Sequence, residues 1–454
     1  MKKVLFLAYY FPPMGGGGVQ RISKFCKYLP LFDYCAVVVA AKSKYYGHPD
    51  DRVLNQEVKD IPRYDIDIEP PTINSCFQRI TESDLGRFFN LHQIQLTYRA
   101  QRAGQIAIQK EKPDLICASV SPFPMAQVAG MLSEKYHIPW VLDMRDPWAL
   151  DPIQCYATKL HYYHDLRTMK RACRRANAVI MNTPDSLDAA RKSFPNINSH
   201  KFTCITNGWD AEDFKSFTYP GVFRDPVNPM TIVHTGVFHT RSALSQNLSA
   251  KKSFKDSWKR LKNAVKYSVG NSNLLTRTPN YLFQAISFLL KQKKISKTDV
   301  RVIFAGDCTS EDITLAQMHG VDEMVEFRGY LDHDQSVQLL NKADVLFLPL
   351  HEPEGGLPLI VPGKTYEYLA AQRPILAAVP KGDIRRFVEK AGLGYVCNPT
   401  DVAQIASMLL GLIERYRSRT GLRVSPNHSF IGQFERKNLT EQLAVLFDKV
   451  FSGY

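Results

Sequence analysis

Lys364 and Glu367 stand three residues apart in the segment Pro-Gly-Lys-Thr-Tyr-Glu-Tyr-Leu-Ala-Ala, a spacing that makes them neighbours on a helix surface. Together they could bind an anion and a diol. A helix N-terminus presents free backbone N–H groups and the positive end of its dipole to an anion. Gly363, Lys364 and Thr365 supply such groups here, and the Lys364 ammonium adds a cation. The Glu367 carboxylate offers two acceptor oxygens, which match two vicinal hydroxyls such as those of a ribose. Phosphate beside ribose points to a nucleotide. Read alone, Glu367 could equally be a carboxylate that only complements the dipole.

The flanking residues read as the elements that would position this pair. Residues 345–350 form an apolar run of strand length, followed by a polar loop. Pro362-Gly363 punctuates the chain, and 365–372 resumes at helical spacing with Tyr366, Leu369 and Ala370 on one face. Residues 375–379 read as the next buried strand. A loop that leaves a parallel strand and feeds a helix is where α/β folds place ligands.

The same residues carry a resemblance. The pattern P-x-K-x-Y-E-Y-L-A-A-x-x-P-I-L resembles the donor-binding segment of retaining nucleotide-sugar glycosyltransferases with the two-domain GT-B architecture. It is similar in particular to the bacterial group 1, family 4-like branch that builds capsule, exopolysaccharide and O-antigen. The resemblance implies that Glu367 holds the donor ribose. In that family a second glutamate, eight residues earlier, touches the transferred sugar; here the position is Leu359. Glu354, in the loop Glu354-Gly355-Gly356, is the candidate stand-in.

At 454 residues the chain exceeds one ordinary core, so two domains are expected. A hydrophobic fraction of 44% and a charged fraction of 22% are those of a soluble globular protein. Nine cysteines without a C-x-x-C give no zinc or disulfide framework, which fits a reducing cytoplasm. The opening Met-Lys-Lys and residues 4–11 have the look of a short signal peptide. Pro12-Pro13 and glycines follow instead of a small-residue cleavage site, so a first strand is the preferred reading. No apolar run approaches the ~20 residues of a membrane span. The net charge of +14 favours acidic partners: nucleotides, nucleic acid or an anionic membrane surface.

Along the first half, a strand at 4–9, the glycines 15–18 and a helix with Ile22, Phe25, Cys26 and Leu29 on one side open a Rossmann-like unit. The loop is not G-x-G-x-x-G, and no acidic residue closes the second strand, so a dinucleotide site is weakly indicated. The resemblance assigns Gly17 and Gly18 to the interdomain cleft, near the donor diphosphate and the acceptor. Asp65-Ile66-Asp67 is read as solvated charge in a Pro-flanked loop rather than a metal pair. A strand at 138–144 ends in Arg145-Asp146-Pro147-Trp148, and Asp-x-Arg-Asp-x-Trp is similar to a recurrent pattern of the same branch. Arg145 and Asp146 are therefore candidate cleft residues, the other reading being an ion pair that orders the loop. His161 and His164 lack a third ligand at useful spacing and read as surface residues. Thr206-Asn207-Gly208-Trp209-Asp210 resembles the turn that closes the first domain.

A second alternating set begins at 231–237, and its loop carries His239 and Arg241. Relatives bring a basic residue from this loop to the donor diphosphate and run straight into a helix. Here 243–276 interrupts the run, and Arg277 precedes what reads as the delayed helix start, with Pro279 early in its first turn. Arg241 and Arg277 are rival diphosphate contacts. Within the interruption Phe254, Trp258, Leu261, Val265 and Val269 recur at helical spacing among seven Lys/Arg, which is what an anionic bilayer attracts. A helix packed on its own domain is the other reading. Gly329 and Tyr330 end a strand, where the resemblance puts the nucleobase. Residues 434–451 read as a final amphipathic helix that crosses back onto the first domain.

The expected architecture is α/β, two Rossmann-like domains facing a cleft. The acceptor domain is 1–215, with 431–454 packed back on it, and the donor domain is 216–430. The expected reaction is transfer of a sugar from a UDP- or GDP-sugar to a hydroxyl of a glycan or lipid-linked glycan, with retention, in surface polysaccharide biosynthesis. Asp146, Arg145, Lys364 and Glu367 are its candidate catalytic residues, and neither a cofactor nor a metal is expected. Rival readings are an epimerase of the same architecture, or a non-catalytic basic protein that binds membranes or polyanions. No nucleic-acid motif with interleaved aromatics is present. The expected location is the cytoplasm, extending to the inner face of the plasma membrane.

Overall fold

The computed structural model describes residues 1–15, 17–42, 56–67, 91–217, 229–244, 267–418, 421–422 and 424–453. The chain forms two compact units. The first is Met1–Asn207 with Val265–Val269 and Arg436–Tyr454; the second is Gly208–Ala264 with Gly270–Glu435.

In the first unit the main sheet has strands β1 (Lys2–Ala8), β2 (Tyr34–Ala41), β3 (Arg63–Ile66), β4 (Leu115–Val120), β5 (Trp140–Met144), β6 (Ala178–Met181) and β7 (Phe202–Cys204). They pair in parallel in the order β3-β2-β1-β4-β5-β6-β7. Helices α1 (Gly17–Tyr28), α2 (Leu91–Glu111), α3 (Pro124–Tyr136), α4 (Lys159–Arg175) and α5 (Pro184–Ser193) cover both faces. Burial on both faces explains why the strands are near-continuous apolar runs such as Leu-Ile-Cys-Ala-Ser-Val.

The second unit repeats the scheme. Its main sheet has strands β8 (Met230–Thr235), β9 (Val300–Ala305), β10 (Val325–Phe327), β11 (Val345–Pro349), β12 (Ile375–Ala378) and β13 (Gly394–Cys397), parallel in the order β10-β9-β8-β11-β12-β13. Its helices include α6 (Asn280–Lys291), α7 (Ser310–Met318), α8 (His333–Lys342), α9 (Gly363–Ala371), α10 (Asp383–Lys390) and α11 (Val402–Arg417). The strand order reverses between β8 and β11. The loops leaving those two strands therefore diverge, and the crevice between them is the ligand position of this sheet type.

The last helix, α12 (Arg436–Phe451), belongs to the first unit, where Leu439, Leu443, Phe447 and Val450 share a core with β1, β2 and α1. The unit boundary falls after Asn207 rather than after residue 215. Trp209, Phe214 and Phe217 pack with the core of the second unit, so the turn expected to close the first domain opens the second. Asp65 is on edge strand β3, not in a loop; it pairs with Arg63, and Asp67 with Lys42. Residues 245–266, which hold most of the basic amphipathic pattern, lie outside the described residues. Among the described residues no helix is long and apolar enough to cross a membrane.

Candidate functional site

Strand β8 carries one ionisable side chain, His234, fully enclosed by the sheet. Its Nδ1 lies 2.9 Å from the Phe347 carbonyl on β11. A carbonyl only accepts, so Nδ1 carries the hydrogen and Nε2 is left as the acceptor. Desolvation holds the ring well below the ordinary histidine range, with Lys364 and Arg277 acting the same way. A neutral ring therefore presents its Nε2 lone pair at 3.0 Å to the Lys364 ammonium nitrogen.

Two residues on, Gly236 has φ +117° and lies directly under that ammonium; a Cβ there would run into Lys364 Nζ. Gly306, at φ +136°, is pressed against the Gly236 carbonyl in turn. Only a residue without a side chain fits either place.

Lys364 sits in the first turn of α9, whose N-cap is Pro362 and which no side chain caps. The Thr365 N–H turns back onto the Pro362 carbonyl at 3.0 Å. The amides of Gly363 and Lys364 are thus the ones an incoming anion can reach. Desolvation, reinforced by Arg277 and opposed by Glu367, brings the Lys364 ammonium down to about 7. Thr365 itself is buried, with its hydroxyl oxygen unpaired.

Of the rival arginines, Arg277 is the one whose charge acts on Lys364, His239 and His351. Arg241 is 71% exposed and bonds Glu311 at 3.0 Å instead. His239 is depressed to about 4, by burial first and then by Arg277 and Lys364. His351, on the loop after β11, is fully buried, and neither ring nitrogen has a hydrogen-bond partner. Burial, then Arg277 and His239, hold it at about 3. This end of the sheet therefore gathers two cationic groups and three neutral imidazoles.

Glu367 is partly exposed, and its Oε1 lies 3.9 Å from Nδ1 of His333, whose Nε2 bonds Asp213 at 2.9 Å. Gly329 (φ +69°) accepts the Gly306 N–H at 2.7 Å, and Tyr330 is 42% exposed. Glu354, Gly355 and Gly356 form an exposed loop tip that is anchored by the Glu354 N–H on the Asn271 carbonyl, 2.8 Å. Leu359 is half-buried.

In the first unit, Gly17 and Gly18 start α1, and the Gly18 carbonyl accepts from the Arg145 guanidinium. That guanidinium also donates to the Ser121 carbonyl at 2.9 Å and lies 5.1 Å above the Tyr10 ring centroid. Asp146 is half-buried; desolvation raises it, Arg145 draws it down and Asp143 raises it again. The first aspartate of Asp-x-Arg-Asp-x-Trp is the one the sequence reading overlooked. Asp143 and Arg21, each 1% exposed, form a buried pair at 2.8 Å, and Arg21 also donates to the Ile205 and Thr206 carbonyls. A groove of about 690 Å³ between α2, α3 and α4 is lined by Ile94, Leu160, His161, His164 and Arg171 among others. It holds none of the residues above, and the chemistry places the candidate site at the β8 and β11 strand ends.

His234, Gly236, His351, His333 and Asp213 were not read from sequence as site residues. His234 alone left a signal, as a histidine inside an apolar strand.

Residues 268–415 match the family Glycosyl transferases group 1. That stretch includes Arg277, His351, Lys364 and Glu367. A probable glycosyltransferase of Pseudomonas aeruginosa, WbjE, is 36% identical over 83 residues, 18% of this chain and 20% of that protein. The chain spans a fifth to a quarter of the length of the curated relatives it matches. Among solved structures, sucrose-phosphate synthase from Thermosynechococcus elongatus superposes with TM-score 0.65 at 13% identity, over 100% of both chains. Anabaena Alr3699/HepE in complex with UDP and glucose gives 0.61 at 17%, over 99% of this chain and 100% of that one. A putative UDP-N-acetylglucosamine 2-epimerase from Listeria monocytogenes gives 0.55 at 13%, over 100% and 98%. The fold is thus the α/β type with two Rossmann-like units that GT-B glycosyltransferases share.

Proposed function

We propose that the protein is a glycosyltransferase that takes a sugar from a nucleotide-diphosphate donor, a UDP- or GDP-sugar, and transfers it to a hydroxyl with retention. The observation that carries the reading is Lys364 at the uncapped start of α9, one turn before Glu367 and with the Arg277 charge acting on it. This is the grouping a diphosphate and its neighbouring ribose require. The family match over 268–415 and a fold neighbour holding UDP support it.

Cleavage of the glycosyl–phosphate bond leaves negative charge on the departing diphosphate. Lys364, Arg277 and the amides at 363 and 364 stabilise that charge, in a site already organised before reaction. Glu367 fixes the ribose and so the distance of the anomeric carbon, on which rate depends steeply. Retention without a nucleophile in this group fits departure and attack on one face, with the leaving oxygen taking the acceptor proton. The sugar falls to the loop that carries His351, Glu354 and Leu359, and the nucleobase to Gly329 and Tyr330. Acceptor recognition falls to the first unit with Gly17, Gly18, Arg145 and Asp146. A glycan or lipid-linked glycan of a surface polysaccharide is the acceptor class this reading names, and no metal is assigned a role.

The epimerase reading is kept alive by one observation, the fold likeness to a protein of that name. A panel of UDP- and GDP-sugars screened for thermal stabilisation identifies the donor, because a bound ligand raises the melting temperature by mass action. Incubation of that donor without acceptor then separates the two. A transferase leaves the sugar's stereocentres intact, whereas an epimerase inverts one.

A further inference from the structure

Glu367 is not an isolated carboxylate. It is the outer member of an array built from three elements of the second unit: the short 3-10 turn Ala211–Phe214, the first residue of α8, and the second turn of α9. Asp213 Oδ2 lies 2.9 Å from His333 Nε2, and His333 Nδ1 lies 3.9 Å from Glu367 Oε1. All three side chains are partly shielded, at 11%, 18% and 24% exposure from the inside outward.

An ionised carboxylate only accepts, so the Nε2 hydrogen of His333 belongs to Asp213 and the ring plane is set by that bond. The backbone reinforces the placement. Asp332 caps α8 and Gln335 returns the bond to the Asp332 N–H, so His333 begins a helix whose first turn is fixed. The opposite ring nitrogen, Nδ1, lies 3.9 Å from Glu367 Oε1, too far for a hydrogen bond; it attracts that carboxylate as an ion pair when the ring carries both protons. A carboxylate at the helix surface has two free side-chain torsions or more, and a diol is recognised well only if both oxygens are held in plane.

We propose that His333, held by Asp213, is a positioning residue that orients Glu367 for the vicinal hydroxyls of the donor ribose. This rests on the Glu367 assignment made above and deepens it. His333 touches neither the sugar nor the diphosphate in this account; it acts through Glu367.

The test uses calorimetric titration of UDP and of 2′,3′-dideoxy-UDP, which lacks the diol, into the full chain. His333→Phe should weaken UDP about five- to tenfold, the worth of one hydrogen bond between a misoriented Glu367 and the diol, and leave dideoxy-UDP within about twofold. Asp213→Asn should do the same to a smaller degree, and His333→Gln, which keeps a donor, should recover part of the loss. Equal weakening of both nucleotides would mean a structural role and would overturn the proposal, as would no weakening of either. Glu367→Gln separates the two levels. If it discriminates between the nucleotides and His333→Phe does not, only the positioning role fails. If Glu367→Gln does not discriminate, the ribose assignment fails with it.

Discussion

Lys364 Nζ lies 3.0 Å from Nε2 of the buried His234, whose other nitrogen is committed to the Phe347 carbonyl. The lysine is thus met by a neutral acceptor, where a structural ion pair would meet it with a carboxylate. Its ionisation follows. Desolvation and Arg277 bring the ammonium from 10.5 to about 7, and Glu367 opposes them. A bound diphosphate would restore the charge.

Donor affinity should therefore be full below pH 7, where Lys364 is already charged, and fall above it, where binding must take up a proton. The slope approaches about tenfold per pH unit. UDP-glucose serves as the probe because its phosphates hold a constant charge across the range. Calorimetry at pH 6 and 8.5 in buffers of different ionisation enthalpy reads both affinity and proton uptake. The stability of the free protein moves the other way. Between about 7 and 10.5 the unfolded chain binds the proton that the folded chain does not, so this group makes stability rise with pH across that window.

Gly236→Ala should disable the site from beneath. At φ +117° an added Cβ is strained, on the order of 1–3 kcal/mol, and it also lands on the Lys364 ammonium. A lower melting temperature together with at least a tenfold loss of UDP affinity is expected. Full affinity in the variant would show that the lysine's position over this glycine does not matter.

Arg277→Ala and Arg241→Ala should part company. Arg277 shares its field with Lys364, whereas Arg241 is exposed and tied to Glu311. Loss of a charge-assisted contact to phosphate costs roughly 1.5–3 kcal/mol, or about ten- to a hundredfold, so Arg277→Ala should weaken UDP by that factor. Arg241→Ala should change it less than twofold. Titration of both variants decides.

How much of this was visible in the residues alone depends on how far apart the partners are in sequence. The alternation of strand and helix, the Lys364–Glu367 spacing and the final helix are local periodicities, and each appeared where its apolar pattern placed it within a few residues. The register that lays Gly236 under Lys364, and the approach of His333 to Glu367, depend on parallel pairings across the sheet. No spacing records those. The choice between Arg241 and Arg277 was open for the same reason. Asp65 was misplaced because Arg-Tyr-Asp-Ile has too few apolar residues to announce an edge strand. Asp143 was passed over because a carboxylate in an apolar run reads as an exception until its partner Arg21, far away in the chain, is seen to face it.

That pair should be among the most sensitive positions of the first unit. Both side chains are 1% exposed, so either Arg21→Met or Asp143→Leu leaves a charge buried without its partner. A cost of about 3–5 kcal/mol is expected for each in urea unfolding. The double variant should cost less than the two together, since it removes both charges. A strictly additive double variant would argue against direct coupling.

The most direct test of the account is a calorimetric titration of UDP and GDP into the wild-type chain and into Lys364→Ala and Glu367→Ala. One of the two nucleotides should bind the wild type, and each substitution should weaken it at least tenfold. Wild-type affinity retained in both variants would contradict a donor site at the start of the Gly363–Ala371 helix.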